Sequence, residues 1–106
     1  MQQVVSWDKL IAVLDGWIGG PVAIRVLTEG NLLLAVFHGV LRARAEEKPP
    51  AVFWPLVHAD PSDRADHLEQ PGIYVHPDAL ETAKVHVGGT VVEIHLCRVT
   101  LNLRRL

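Results

Sequence analysis

The feature that most constrains this chain is an uninterrupted apolar run, LLLAVF, from Leu32 to Phe37. Successive side chains of a β-strand point to opposite faces, so a strand built from this run presents apolar groups on both faces. One face can pack against the core of a small domain, whereas the other face needs separate cover. The run therefore requires either a second covering element from the same chain or a partner.

The run belongs to a predicted β-hairpin, with strands over residues 22–27 and 32–44 and a turn, EGN, that holds Gly30. The two-residue turn can use either pair of adjacent residues in EGN, and both choices place even positions of the first strand beside odd positions of the second. One face is then wholly apolar and consists of Val22, Ile24, Val26, Leu33, Ala35, Phe37, Leu41 and Ala43. The other face is half apolar with its charges at the ends. Gly39 predicts a bend or bulge within the second strand.

The segment before this hairpin predicts a helix over residues 6–15. Ser6 is a suitable N-cap, because its hydroxyl can accept a bond from a first-turn N–H. Apolar residues then recur at helical spacing, which makes one apolar stripe, at Trp7, Leu10, Ile11 and Leu14. A single stripe of this kind covers one face of a sheet.

Near the end of the chain, Gly88-Gly89 predicts a second hairpin with a two-residue turn. Pairing across this turn sets Val85 opposite Val92, Lys84 opposite Glu93 and Ala83 opposite Ile94. A competing helix over residues 77–87 would break that pairing. After Leu96 the apolar residues change from even to odd positions, which predicts a bulge or tight turn near 97–98. We expect the last strand to turn onto a second sheet beyond that point.

Two further strands complete the expected fold, at 51–57 and 73–75, with Pro55 placed at an edge or a bulge. The fold class is α+β, mainly β: an N-terminal helix followed by five or six short antiparallel strands that form a small, strongly bent barrel. The order of elements is similar to that of Sm-like and SH3-like barrels, by analogy only. The Sm signature is missing, since no Asp follows GVL and no late Arg-Gly motif occurs.

The composition of the chain limits the classes of function that it can have. The 106 residues suit a single domain over 1–106, and 49% hydrophobic against 21% charged residues is a globular balance. The net charge of −2 argues against general attraction to nucleic acid or an anionic membrane. Cys97 is the single cysteine, which fits a reducing compartment. With no signal-peptide pattern and no apolar run long enough to span a membrane, we expect a cytoplasmic protein without membrane contact.

Candidate chemistry is sparse, and we expect neither enzymatic activity nor a cofactor. Oxygen and nitrogen donors occur together in the loop 58–72, at His58, Asp60, Asp63 and His67, but their spacing matches no compact metal motif. Cys97 follows His95 by two residues, and a thiol near an imidazole can act as a nucleophile. A half-buried structural cysteine is the more common case, so we predict no catalytic and no metal residues.

Single-stranded nucleic acid is the alternative partner. Five arginines form a candidate basic surface: Arg42, Arg44, Arg98, Arg104 and Arg105. Small barrels bind single strands through such surfaces with help from stacking aromatics, here Phe53, Trp54 or Tyr74. Aromatics in a chain this short usually belong to the core, which disfavours this alternative.

The favoured hypothesis returns to the apolar run. The interface candidates are Leu27, Leu32, Leu34 and Val36, all on the half-apolar face of the first hairpin. Surplus apolar surface on a small domain usually marks an interface. The sequence therefore predicts a non-enzymatic interaction module whose partner is itself, as a symmetric dimer, or another protein. If the helix covers this face instead, the case for self-association weakens sharply.

Overall fold

The computed structural model describes residues 2–44, 51–57, 72–86 and 88–106. Within these ranges the elements in chain order are β1 (Gln2–Val5), α1 (Trp7–Asp15), β2 (Pro21–Thr28), β3 (Leu33–Leu41), β4 (Val52–Val57), β5 (Gly72–Val75), β6 (Leu80–His86), β7 (Val91–Leu96) and β8 (Val99–Arg105). Every strand pairing is antiparallel, and the strand order is β1-β6-β7-β8-β2-β3-β4-β5.

The fold is mainly β with a short N-terminal helix, as expected, but it differs from the expected barrel in two respects. The sheet is open, because the terminal strands of the order, β1 and β5, are not paired with each other in the described part of the chain. In the ranges that the structure describes, it also has eight strands rather than five or six. The additional strands are Gln2–Val5, which pairs with β6, and the segment after Leu96, which forms a strand of its own.

Helix α1 begins as the sequence predicts. The Ser6 hydroxyl accepts a hydrogen bond from the Lys9 N–H, at 3.3 Å, and thereby satisfies one of the free N–H groups at the helix start. The helix ends at Gly16, whose N–H donates to the carbonyls of Ala12 and Val13. Its fully buried residues, Leu10 and Leu14, lie one turn apart and anchor the helix to the core.

One hydrophobic core lies between the inner face of the large sheet, helix α1 and the pair β4–β5. Its buried members are Leu10, Leu14, Trp17, Val22, Ile24, Leu41, Val52, Trp54, Leu56, Ile73, Val75, Ala83, Val92, Ile94 and Leu103. Side chains alternate between the two faces of a strand, and in β2 and β7 the even positions point into the core. These core residues are Val22, Ile24, Val92 and Ile94. The side of the sheet from which they project is the inner face. We call the opposite side of β1, β6, β7, β8, β2 and β3 the outer face.

The hairpin β6–β7 has the predicted register. Val85 pairs with Val92, Lys84 with Glu93 and Ala83 with Ile94, which also excludes a helix over residues 77–87. A turn at 97–98 follows, and β8 returns alongside β7 in the same sheet, with Ile94 paired to Leu101. The expected tight turn is confirmed. The expected passage onto a second sheet is wrong, because β8 pairs with β2 on its other side.

The hairpin β2–β3 follows the predicted parity over most of its length. Val22 pairs with Gly39, Ile24 with Phe37 and Val26 with Ala35, and the register then shifts so that Leu27 pairs with Leu33. This shift is a β-bulge, and the side chain that precedes it in β3 is moved to the other face. Leu33 therefore lies on the outer face and not on the apolar inner face expected from parity. The positive-φ residue of the turn is Asn31, at 63°, rather than Gly30.

Strand β4 lies between β3 and β5 rather than at an edge. It pairs with β5 from Val52 to Pro55 and with β3 at Leu56 and Val57. Pro55 therefore lies where β4 passes from one partner to the other, and its carbonyl accepts from the Arg42 N–H at 2.9 Å. Gly39 in β3 permits this close crossing, since a Cβ there would lie 2.9 Å from the Val57 carbonyl oxygen.

Candidate interaction surface

Among the described residues, exposed apolar side chains are concentrated in the turn-proximal half of the hairpin β2–β3. Five large apolar side chains are exposed there by 45–69%, and we call them the hairpin patch: Leu32, Leu33, Leu34, Val36 and Phe37. Three of the four predicted interface residues belong to it. The fourth, Leu27, is half-buried. Sequence parity missed Leu33 and Phe37, because it assigned both to the core.

The hairpin patch spans both faces of β3. Val36 pairs with Arg25 and Leu33 pairs with Leu27, which places them on the outer face. Phe37 pairs with the buried Ile24 and therefore lies on the inner face, yet its exposure is 45%. The reason is its place at the margin of the core: in the described ranges β4 pairs with β3 only at Val40 and Leu41. Within the described ranges, the first half of β3 thus has no residue of β4 paired with it.

Helix α1 does not cover the outer-face part of the patch. Its buried residues, Leu10 and Leu14, belong to the same core cluster as Val22 and Ile24, which lie on the inner face of β2. Val36 projects from the other side of the sheet, as its pairing with the exposed Arg25 shows. The apolar run therefore has an inner face that is only partly covered and an outer face on which Val36 remains 54% exposed.

A polar network occupies another part of the outer face, on β1, β6, β7 and β8. The Glu93 carboxylate lies 3.6 Å from His86 Nε2 and 3.4 Å from His95 Nε2, and the Thr100 hydroxyl lies 3.2 Å from His95 Nδ1. Gln2 Nε2 lies 3.1 Å from His86 Nε2. Since Thr100 is the cross-strand partner of His95, the register alone brings these two side chains together.

This network orders a hydroxyl, an imidazole and a carboxylate in the same sequence as nucleophilic sites do. The His95 Nε2 atom is buried and makes no hydrogen bond within the described ranges, although Glu93 is close to it. In those ranges no group of three His, Cys, Asp or Glu residues is arranged to hold a metal ion. His95 and Thr100 are cross-strand partners, so their contact is one that paired strands make on a shared face.

The predicted proximity of Cys97 and His95 is partly met. Both line a small cleft of about 210 Å³, together with Glu29, Asn31, Glu81, Leu96, Val99 and Thr100. Cys97 is exposed in the turn between β7 and β8. The two ring nitrogens of His95, however, face Thr100 and Glu93. His95 is therefore placed to interact with its strand neighbours and not to activate the thiol.

The five candidate arginines do not form one surface. The end of β8 and the end of β3 both adjoin the start of β2, since the Leu106 N–H donates to Pro21 and the Leu41 N–H donates to Gly20. This end of the sheet holds Arg42, Arg44, Arg104 and Arg105, all exposed. Arg98 lies at the opposite end of β8, in the turn after β7.

Two contacts reduce the suitability of the arginine end for a nucleic acid. The Arg44 guanidinium lies 3.3 Å from the Asp15 carboxylate, which offsets its charge. Trp54 is fully buried and donates from Nε1 to Asp15 at 2.9 Å, so it is not available to stack on a base. Tyr74 is 47% exposed and Phe53 is half-buried beside it, with ring centroids 6.2 Å apart.

The histidines and aspartates considered as metal ligands, His58, Asp60, Asp63 and His67, lie outside the described residues. In the part of the chain that the structure describes, helices fall short of the length and apolarity needed to cross a membrane. Comparison of the chain with family models, with curated proteins and with solved structures finds no match.

Proposed function

We propose that this protein is a non-enzymatic interaction module that self-associates, as a symmetric dimer, through the hairpin patch. One observation carries the proposal: five large apolar side chains on a single hairpin are 45–69% exposed, next to a core whose other large apolar residues are mostly buried. Scattered exposed leucines are common on monomers, but a contiguous group is typical of an interface. A second copy presents the same apolar group and is the simplest complement to it.

The size of the patch agrees with this function. Side chains of this kind expose about 150–250 Å² each when fully free, so the patch amounts to roughly 500 Å² per copy. Two copies that share it would form the apolar centre of a dimer interface, where about 800 Å² per partner is usual. Full burial of an exposed large apolar side chain contributes about 1.5–3 kcal/mol, and a half-exposed one contributes about half of that. Five such side chains from each copy can therefore exceed the cost of association.

The first test is the molar mass in solution. We expect the wild-type protein to scatter light as a dimer at high micromolar concentration, and Leu34→Glu to scatter as a folded monomer. Leu34 is 61% exposed, so a carboxylate there stays hydrated in the monomer but would be buried in the dimer.

The matched control is Val4→Glu. Val4 is 66% exposed on β1, which is at the other end of the strand order from β3 and β4. This variant should remain dimeric, because its new charge lies outside the hairpin patch. A wild-type monomer at high micromolar concentration would contradict the proposed function. Unfolding of Leu34→Glu would instead place Leu34 in the packed core.

Binding to single-stranded nucleic acid is a second candidate, and one observation favours it. Arg42, Arg104 and Arg105 are exposed at the same end of the sheet, and a cluster of this kind can contact successive phosphates. The buried Trp54, the Asp15–Arg44 ion pair and the net charge of −2 weigh against it. We therefore rank it below self-association.

A further inference from the structure

We propose that two copies pack face to face through the outer face of β2 and β3, with the two-fold axis running across the strands at Leu27. This inference rests on the proposed function and specifies its orientation. Leu27 then lies opposite its own counterpart, and Arg25 of each copy lies opposite Glu29 of the other. The dimer therefore has an apolar centre and two symmetry-related ion pairs.

The apolar centre is a group of side chains on the outer face of the hairpin. Leu27 and Leu33 are cross-strand partners, and Val36 lies on the same face because its partner is Arg25. Leu33 is 49% exposed and Val36 is 54% exposed, whereas Leu27 is half-buried. Strands of a sheet twist relative to one another, so two stacked copies are closest near the axis, at these side chains. Phe37 lies on the inner face, outside this contact.

Leu27 is flanked along the chain by two side chains of opposite charge, Arg25 and Glu29, each two residues away. Arg25 and Leu27 project from the same face, since the pairing of β2 with β8 continues past both without a shift in register. Glu29 follows in the turn, and it lines the small cleft together with His95 and Thr100 of the outer face. The outer surface of β2 thus changes from basic to apolar to acidic toward the turn.

The charges of Arg25 and Glu29 are available to a second copy. Both side chains are exposed, and within the described ranges neither takes part in an ion pair. Glu93 on the same face differs, because its carboxylate already lies 3.4 Å from His95 Nε2. Stacked sheets lie about 10 Å apart, a gap that an arginine and a glutamate on facing strands can bridge. Glu29 is therefore the acid that Arg25 of the second copy meets.

The same charges decide the direction of the two-fold axis. An axis parallel to the strands at Leu27 sets Arg25 against Arg25 of the second copy and Glu29 against Glu29, so that like charges repel. An axis across the strands reverses the direction of β2 in the second copy, so that each Arg25 meets a Glu29 instead. Symmetry then forms both ion pairs at once, and complementary charges of this kind fix the orientation of one copy on the other.

The experiment is a charge swap, with the dissociation constant of the dimer measured by light scattering over a range of protein concentrations. Arg25→Glu alone and Glu29→Arg alone each replace two ion pairs by two contacts of like charge. We expect each to raise the dissociation constant by about tenfold or more. The double variant Arg25→Glu, Glu29→Arg restores opposite charges, so its dissociation constant should return to within about threefold of the wild-type value.

The matched control is Arg105→Glu, which changes the net charge by the same amount as Arg25→Glu. Arg105 is exposed and pairs with Val22 at the other end of β2, away from Leu27. This variant should leave the dissociation constant unchanged. Since the three substituted side chains are exposed, each variant should fold, and its circular dichroism spectrum checks this.

The results separate failure of the orientation from failure of the proposed function. A wild-type dimer that Arg25→Glu weakens no more than Arg105→Glu does would overturn the orientation and leave self-association intact. A double variant that dimerises as weakly as the single variants would do the same. A wild-type protein that is monomeric at high micromolar concentration overturns both proposals. Weakening by each single substitution, with recovery in the double variant, supports both.

Discussion

At the scale of single residues, buried tryptophans connect the core to its polar margin. Trp54 is fully buried and donates from Nε1 to Asp15, while Trp17 donates from Nε1 to the Gly89 carbonyl at 3.0 Å. Because each indole N–H has a partner, burial of these large side chains leaves no unsatisfied donor. Asp15 also contacts Arg44, so the end of α1, the end of β3 and β4 meet at one carboxylate.

The residue-scale prediction is that Trp54→Phe destabilises the protein. The substitution removes the bond to Asp15 and leaves a void at a site with no solvent exposure. We expect the free energy of unfolding in urea to fall by about 2–4 kcal/mol. Tyr74→Phe is the control, since Tyr74 is 47% exposed and should change stability by less than about 0.5 kcal/mol. Equal stability of the two variants would show that Trp54 is not a core residue.

At the scale of elements, the sequence predicts best where a local turn sets the register. Gly88-Gly89 is such a turn, and it predicts three pairs of β6–β7 that the structure has. The strand β1 is not predictable in this way, because QQVV has little alternation and its partner β6 is about 80 residues away. The bulge near Leu33 is equally hidden, since pairing in the same hairpin was predicted without a register shift. That bulge is why Leu33 was not predicted to lie with the rest of the hairpin patch. Phe37 was missed for another reason: it lies on the inner face as predicted, but at the margin of the core, where it is 45% exposed.

The element-scale prediction concerns the same turn. Gly88 and Gly89 have φ angles of 97° and 69°, in the region that side chains with a Cβ rarely adopt. The double variant Gly88→Val, Gly89→Val should lose about 2–4 kcal/mol of stability and melt at a lower temperature. Gly30→Val is the control in the other hairpin turn, because Gly30 does not have a positive φ. A double variant that melts with the wild type would contradict this turn geometry.

At the scale of the whole molecule, the outer face has a polar region and an apolar region. Its polar region on β6, β7 and β8 holds Glu93, His95 and Thr100, whose contacts are with one another. Its apolar region on β3 holds Leu33 and Val36, which are 49% and 54% exposed. A domain of 106 residues can bury only about two-thirds of its unfolded surface, so some apolar exposure is expected. The exposed apolar side chains are concentrated on one hairpin, and this concentration favours a partner that binds at the hairpin patch.

The whole-molecule prediction concerns net charge and the arginine end. We expect no binding of single-stranded oligonucleotides in fluorescence anisotropy, even at low salt, because the net charge is −2 and Arg44 is paired with Asp15. Binding at the arginine end would contradict this prediction, and it would have a recognisable salt dependence. The logarithm of the association constant would fall linearly with the logarithm of the salt concentration, with a slope of about −0.7 for each phosphate contact. In that case Arg104→Ala with Arg105→Ala should weaken binding. Arg98→Ala should not, because Arg98 lies at the opposite end of β8. Equal losses from both substitutions would indicate attraction to overall charge instead of a site, whereas a selective loss would move nucleic-acid binding ahead of self-association.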